Sequence, residues 1–97
     1  MNTIELTKSL ISCPSVTPEN AGVLDILEEE LNNIGFECKR YNFSEKGTPD
    51  VDNLFAKFGS EEPHFCFGGH TDVVPIGEEG AWSNNPFEPT EKNGNLY

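Results

Sequence analysis

Basic residues are scarce in this sequence. Six Lys and Arg stand against seventeen Asp and Glu in 97 residues, a formal charge of −11 with a pI near 4.3. The phosphate backbone of a nucleic acid repels such a surface, and the one basic doublet, Lys39-Arg40, makes no patch. Nucleic acid is therefore excluded as a partner. Long apolar runs are also missing: none approaches the ~20 residues that span a bilayer, and Met1–Glu5 has neither the basic nor the apolar region of a signal peptide. A cytoplasmic location away from membranes is the expectation. Cysteine is sparse, with only Cys13, Cys38 and Cys66, and no Cys-x-x-Cys spacing. One must stay unpaired in any intramolecular scheme, so reduced thiols are expected. Cys38 and Cys66 lie in strand-like patterns and read as small buried hydrophobes, and no base or helix start beside Cys13 activates it as a nucleophile.

What is present is ordinary globular material. Hydrophobic residues make up 35%, and seven Phe, two Tyr and one Trp argue against disorder. A chain of this length forms one compact domain that hides roughly two-thirds of its unfolded surface, with no room for a second.

Asn2 or Thr3 can cap a first helix whose stripe is Ile4, Leu6, Leu10 and Ile11, ending before Pro14. Thr17-Pro18-Glu19 reads as the start of a second: Thr17 as cap, Pro18 where a missing donor costs nothing, Glu19 at the positive end of the dipole. Leu24, Leu27, Leu31 and Ile34 form its stripe and Gly35 its end. Glu28, Glu29 and Glu30 fan over about 200° of helix and read as a solvated face rather than a metal site.

From Phe36 the period changes to that of strands. Phe36–Phe43 and Asn53–Phe58 are expected strands, the second with Leu54, Ala56 and Phe58 on one face. Phe65-Cys66-Phe67 is continuously apolar, the pattern of a central strand buried on both faces. The predicted fold class is α/β, with helices packed on a mixed sheet. After Pro75 a loop carries Trp82 and Phe87, and Asn93-Gly94 marks a hairpin. The chain stops three residues into the returning strand, which reads as a truncated domain.

Only one cluster has the composition of a reactive site: Gly68-Gly69-His70-Thr71-Asp72-Val73-Val74-Pro75, at the carboxyl end of the expected central strand. Ligand sites of open α/β sheets collect at such ends. The two glycines let the backbone turn and leave space beside the imidazole. Imidazole is the commonest metal ligand, and a carboxylate two residues on can take its other ring N–H, fixing the tautomer. The same pattern suits a hydrogen-bonded pair that merely ends a strand, since a zinc site needs three or four protein ligands. His64 reads as a surface histidine. No serine sits in a Gly-x-Ser-x-Gly elbow, and no phosphate loop or dinucleotide turn is present.

Gly69-His70-Thr71-Asp72-Val73-Val74-Pro75 resembles the first metal-ligand motif of the M20 metallopeptidase family, and more closely that of its branch of succinyl-amide hydrolases. Pro14-Ser15-Val16-Thr17-Pro18 is similar to the link between the first two helices of that branch, and Asn53-Leu54-Phe55-Ala56 to an early strand. Trp82, Pro86-Phe87, Pro89 and Gly94-Asn95-Leu96-Tyr97 resemble the run toward its second metal motif. The resemblance covers the whole chain. Ile76 and Asn93 depart from the branch without touching a ligand.

The resemblance implies the amino-terminal part of a zinc-peptidase-like α/β/α catalytic domain over residues 1–97, the dimerisation domain being absent. It implies an amidohydrolase with two zinc ions per site, cobalt being an acceptable substitute, acting on a small succinylated substrate of the lysine and cell-wall precursor pathway. Of its functional residues, the metal-ligand role carries over to His70 and the catalytic role of orienting that imidazole to Asp72. The bridging Asp, the Glu base and a second His lie beyond Tyr97, so the chain alone is expected to be inactive, and the full-length protein to be a homodimer. Two other readings stand beside it: a deacetylase of the same family acting on acetylornithine, and a non-catalytic acidic binding module from an interrupted gene.

Overall fold

The computed structural model describes residues 1–97. The first helix, α1, runs Thr3–Ile11. Asn2 accepts from the Glu5 N–H while the Glu5 carboxylate accepts from the Asn2 N–H, both at 3.0 Å, so two of the helix's orphan donors are satisfied reciprocally.

The second helix, α2, runs Val23–Asn33 and starts later than Thr17-Pro18-Glu19 predicts. Its N-cap is Gly22, preceded by a turn in which the Asn20 side chain accepts from the Gly22 N–H at 2.8 Å. The reason for the delay lies in tertiary structure. Thr17 N–H donates to the Val73 carbonyl at 3.0 Å and its hydroxyl to Asp72 Oδ2 at 2.6 Å, so its side chain faces Asp72 and not the first amides of a helix. The end falls where Gly35 predicts. Phe36 N–H bonds Leu31 C=O and Gly35 N–H bonds Asn32 C=O, the paired bonds of a Schellman motif. Gly35 has φ +95°, and a Cβ there would stand 3.2 Å from the Phe58 ring. Both the left-handed backbone and the close approach require glycine.

The strands β1, Glu37–Phe43, and β2, Val51–Lys57, pair antiparallel with Glu37 opposite Lys57 and Phe43 opposite Val51. Helix α2 lies against this hairpin. Cys38, Arg40, Asp52, Leu54 and Ala56 are half-buried, alternating with the exposed Lys39, Tyr41, Asn53 and Phe55. Phe58 lies past the strand and packs its ring against Phe36, centroids 5.3 Å apart. A second hairpin joins β3, Glu91–Lys92, to β4, Asn95–Leu96. Asn93 and Gly94, at φ 53° and 77°, make the tight turn their sequence predicts. Between the hairpins a 3₁₀ turn spans Glu79–Ala81, and the Trp82 indole N–H donates to the Ile76 carbonyl at 2.9 Å. Phe87 is half-buried.

The α/β class holds, with two helices and two small antiparallel sheets, but the mixed sheet does not form. The one parallel element is an isolated bridge between Val16 and Val73. Phe65-Cys66-Phe67 is not a strand. Phe65 is 83% and Phe67 90% exposed, and Cys66 is exposed as well, where burial is expected from the pattern. An apolar run becomes a central strand only when strands pair with both its edges, and none does here. The two rings pack edge to face on each other instead, 4.9 Å apart. Only Val23, Leu24 and Ser15 are buried. The radius of gyration is 15.9 Å against about 12.5 Å for a close-packed chain of this length, so the molecule is open. No helix is long and apolar enough to cross a membrane.

Candidate active site

The loop bearing His70 and Asp72 has little regular structure of its own, and residues 15–17 hold it. Val16 and Val73 form the parallel bridge: Val73 N–H donates to Ser15 C=O at 2.9 Å and Thr17 N–H to Val73 C=O at 3.0 Å. Ser15 is 3% exposed, the one buried polar residue, and its hydroxyl donates to the Thr71 carbonyl at 2.7 Å. A buried hydroxyl needs such a partner.

Within the loop, His70 Nδ1 lies 3.0 Å from Asp72 Oδ1 and 2.9 Å from the Asp72 carbonyl oxygen. Neither of these partners can donate, so Nδ1 carries the proton and donates. In the neutral ring that leaves the Nε2 lone pair free. The His70 side chain is 82% exposed, and Nε2 has no hydrogen-bond partner in the chain. The other carboxylate oxygen of Asp72 accepts from the Thr17 hydroxyl at 2.6 Å, and that hydroxyl also lies 3.3 Å from the Val73 carbonyl. The Thr17 hydroxyl, foremost, holds the Asp72 carboxyl below its ordinary range; desolvation opposes it, and the hydrogen bond and charge of His70 add to the lowering.

Gly68 and Gly69 are not required by this geometry. Neither has a positive φ, and a Cβ on either meets nothing within 4 Å. The expected crowding beside the imidazole is absent because the loop is open to solvent. His64 is exposed, as the sequence predicts.

The donor set fits one arm of a metal site and no more. His70 offers a free imidazole nitrogen whose ring is oriented by a carboxylate, the arrangement metal-binding histidines have. No group of three or more His, Cys, Asp or Glu residues is placed to hold an ion, so a metal at His70 would need ligands beyond those of this chain. The acidic triplet of α2 is a solvated face only at Glu29: Glu28 and Glu30 are half-buried, paired with Arg40 at 2.9 Å and with the amino terminus at 3.4 Å. All three cysteines are free thiols. Cys38 is half-buried, and desolvation, followed by the nearby Glu28 charge, pushes its pKa up, away from nucleophilic use.

Thr17 and Ser15 are the site residues that pattern reading overlooks. The signal was available: Ser15 and Thr17, two apart in an extended segment, fall on one side of the chain, as His-x-Asp does. A helix-cap reading of Thr17-Pro18-Glu19 masks it.

No family model matches the chain. Comparison with curated proteins nevertheless finds clear similarity. In particular it is homologous to succinyl-diaminopimelate desuccinylases. It is 55% identical over 94 residues to those of Parvibaculum lavamentivorans and Bradyrhizobium diazoefficiens, and 52% identical to that of Rhodopseudomonas palustris, in each case over 97% of this chain. The chain spans 24% of the length of these relatives.

Proposed function

We propose that this chain forms the amino-terminal part of a metal-dependent amidohydrolase that cleaves N-succinyl-LL-2,6-diaminopimelate to succinate and LL-2,6-diaminopimelate. The observation that carries the reading is the His70–Asp72 pair, an exposed imidazole with Nδ1 held by a carboxylate and Nε2 free, in a chain 55% identical to desuccinylases. His70 is the residue to ligate one of two zinc ions, with cobalt able to substitute, and Asp72 the residue that orients it. Bound zinc would supply Lewis-acid polarisation of the amide carbonyl and a water acidic enough to ionise near neutral pH. Asp72 keeps the proton on Nδ1, so Nε2 presents its lone pair without rotation of the ring. Two of the chain's six cations are already committed: Arg40 is ringed by Asp25, Glu28 and Asp52, and Lys8 pairs with Glu91 at 3.1 Å. With a net charge of −11 here, the basic groups that hold the substrate belong to the rest of the protein, a homodimer in this reading.

The test is to assay the full-length polypeptide carrying this chain for succinate release with zinc, and to measure metal content. His70→Ala is expected to lower bound zinc and abolish hydrolysis, and the 97-residue chain alone to be inactive. Full activity in His70→Ala, or turnover by the isolated chain near that of the full-length protein, refutes the proposal. Preference for acetylornithine over the succinylated substrate would transfer it to the deacetylase branch.

A further inference from the structure

We propose that Thr17 is a positioning residue for His70, acting through Asp72, with Ser15 anchoring the same loop. The inference deepens the metal-ligand reading of His70 and rests on it for its functional meaning. Its physical basis is a continuous chain of hydrogen bonds. The Thr17 hydroxyl donates to one Asp72 carboxylate oxygen at 2.6 Å, and the other oxygen accepts from His70 Nδ1 at 3.0 Å. A carboxylate with one oxygen fixed has lost rotation about its terminal bond, so the remaining oxygen faces the imidazole in one geometry. Asp72 is half exposed and His70 more so, and without Thr17 water competes for both oxygens.

The anchoring is equally specific. The one buried polar side chain of the molecule, Ser15, bonds the carbonyl of Thr71, which lies between His70 and Asp72 in the chain, and the Val16–Val73 bridge holds the backbone one residue past Asp72. A fastening that served only to hold two segments together would need the bridge alone. Here the side chains on both sides of it, Ser15 and Thr17, also point their hydroxyls at the His70–Asp72 unit, across 56 and 55 residues of sequence.

The experiment compares Thr17→Val, which keeps the shape and removes the hydroxyl, with Thr17→Ser, which keeps the hydroxyl. Both are made in the full-length polypeptide, stripped of metal and carrying isotope-labelled histidine, and the His70 tautomer is read by NMR before zinc is titrated back. Wild type and Thr17→Ser are expected to hold the proton on Nδ1. Thr17→Val is expected to show a mixture of the two tautomers and to bind zinc roughly tenfold more weakly, the lower end of what loss of an outer-shell partner brings. An unchanged tautomer and zinc affinity in Thr17→Val overturns the proposal, as does a Thr17→Ser protein that behaves like Val. If Thr17→Val does not fold, Thr17→Ala takes its place with the same reading: a mixture of tautomers supports the role and a wild-type tautomer removes it. The metal reading fails separately: a correctly held tautomer in a protein that takes up no zinc sinks the ligand role of His70 and leaves the positioning role standing.

Discussion

Arg40 on β1 reaches across the hairpin to Asp52 on β2, its Nη2 2.7 Å from Oδ2, while its other terminal nitrogen bonds Asp25 at 2.8 Å and Glu28 at 2.9 Å on α2. One guanidinium therefore ties the helix to both strands. Arg40 stands directly opposite Leu54, so Asp52 is its diagonal neighbour on the same face, within reach of a long side chain. The three carboxylates raise the Arg40 pKa further, with the Asp25 and Asp52 hydrogen bonds foremost, and only Nε is left without a partner.

Arg40→Met is expected to loosen this junction by about 1–3 kcal/mol, since it leaves half-buried Glu28 and Asp52 without their cation. Asp25→Ala should change little, at most about 1 kcal/mol, because that carboxylate is 72% exposed. Arg40→Lys should recover only part of the loss, because a point charge cannot reproduce the fork. Hydrogen exchange of the β1–β2 amides measures all three. Equal protection in wild type and Arg40→Met would show that the hairpin stands on apolar packing alone.

Glycine substitutions should separate sharply by site. Gly35→Ala places a Cβ at φ +95° and 3.2 Å from the Phe58 ring, and is expected to lower stability by about 1–2 kcal/mol. Gly68→Ala meets nothing and should lie within about 0.5 kcal/mol of wild type. Chemical denaturation of the two variants beside wild type tests the contrast, and comparable losses at both positions would contradict it.

The thiols offer a third measurement. In the 97-residue chain, limiting alkylating reagent at neutral pH is expected to modify exposed Cys66 first and Cys38 last, because the Cys38 thiol is half-buried and its pKa is raised by desolvation and by Glu28. In the full-length polypeptide Cys66 is expected to become protected, as Phe65 and Phe67 gain cover. Mass spectrometry of the labelled peptides gives the order. Fast labelling of Cys38 in the short chain, or of Cys66 in the long one, would count against these expectations.

Removing the capping box should fray α1. Asn2→Ala is expected to cost about 1 kcal/mol locally, read as faster exchange of the amides of the first turn. Exchange rates matching wild type would show that the cap is idle.

Features closed within a few residues were legible in the sequence. Asn2, one of the two caps the sequence offers, caps α1, Gly35 ends α2, Leu54 and Ala56 share a half-buried hairpin face, and Asn93-Gly94 turns the second hairpin. Each depends on local dihedral preference or on a period of side-chain placement, which the order of residues carries in full. His70-x-Asp72 belongs to the same group, because a pair two residues apart can meet without help from the rest of the fold.

What tertiary structure decided were the partners brought from far along the chain. Thr17 reads as a cap until Val73 and Asp72, more than fifty residues away, take its N–H and its hydroxyl. Lys39-Arg40 reads as a weak basic doublet until three carboxylates from a helix and a neighbouring strand close on Arg40. Phe65-Cys66-Phe67 shows the limit from the other side. Its apolar pattern states that the segment suits burial on both faces, but burial requires neighbouring strands, and backbone hydrogen bonds and apolar cover are supplied by whatever lies alongside, not by the segment itself.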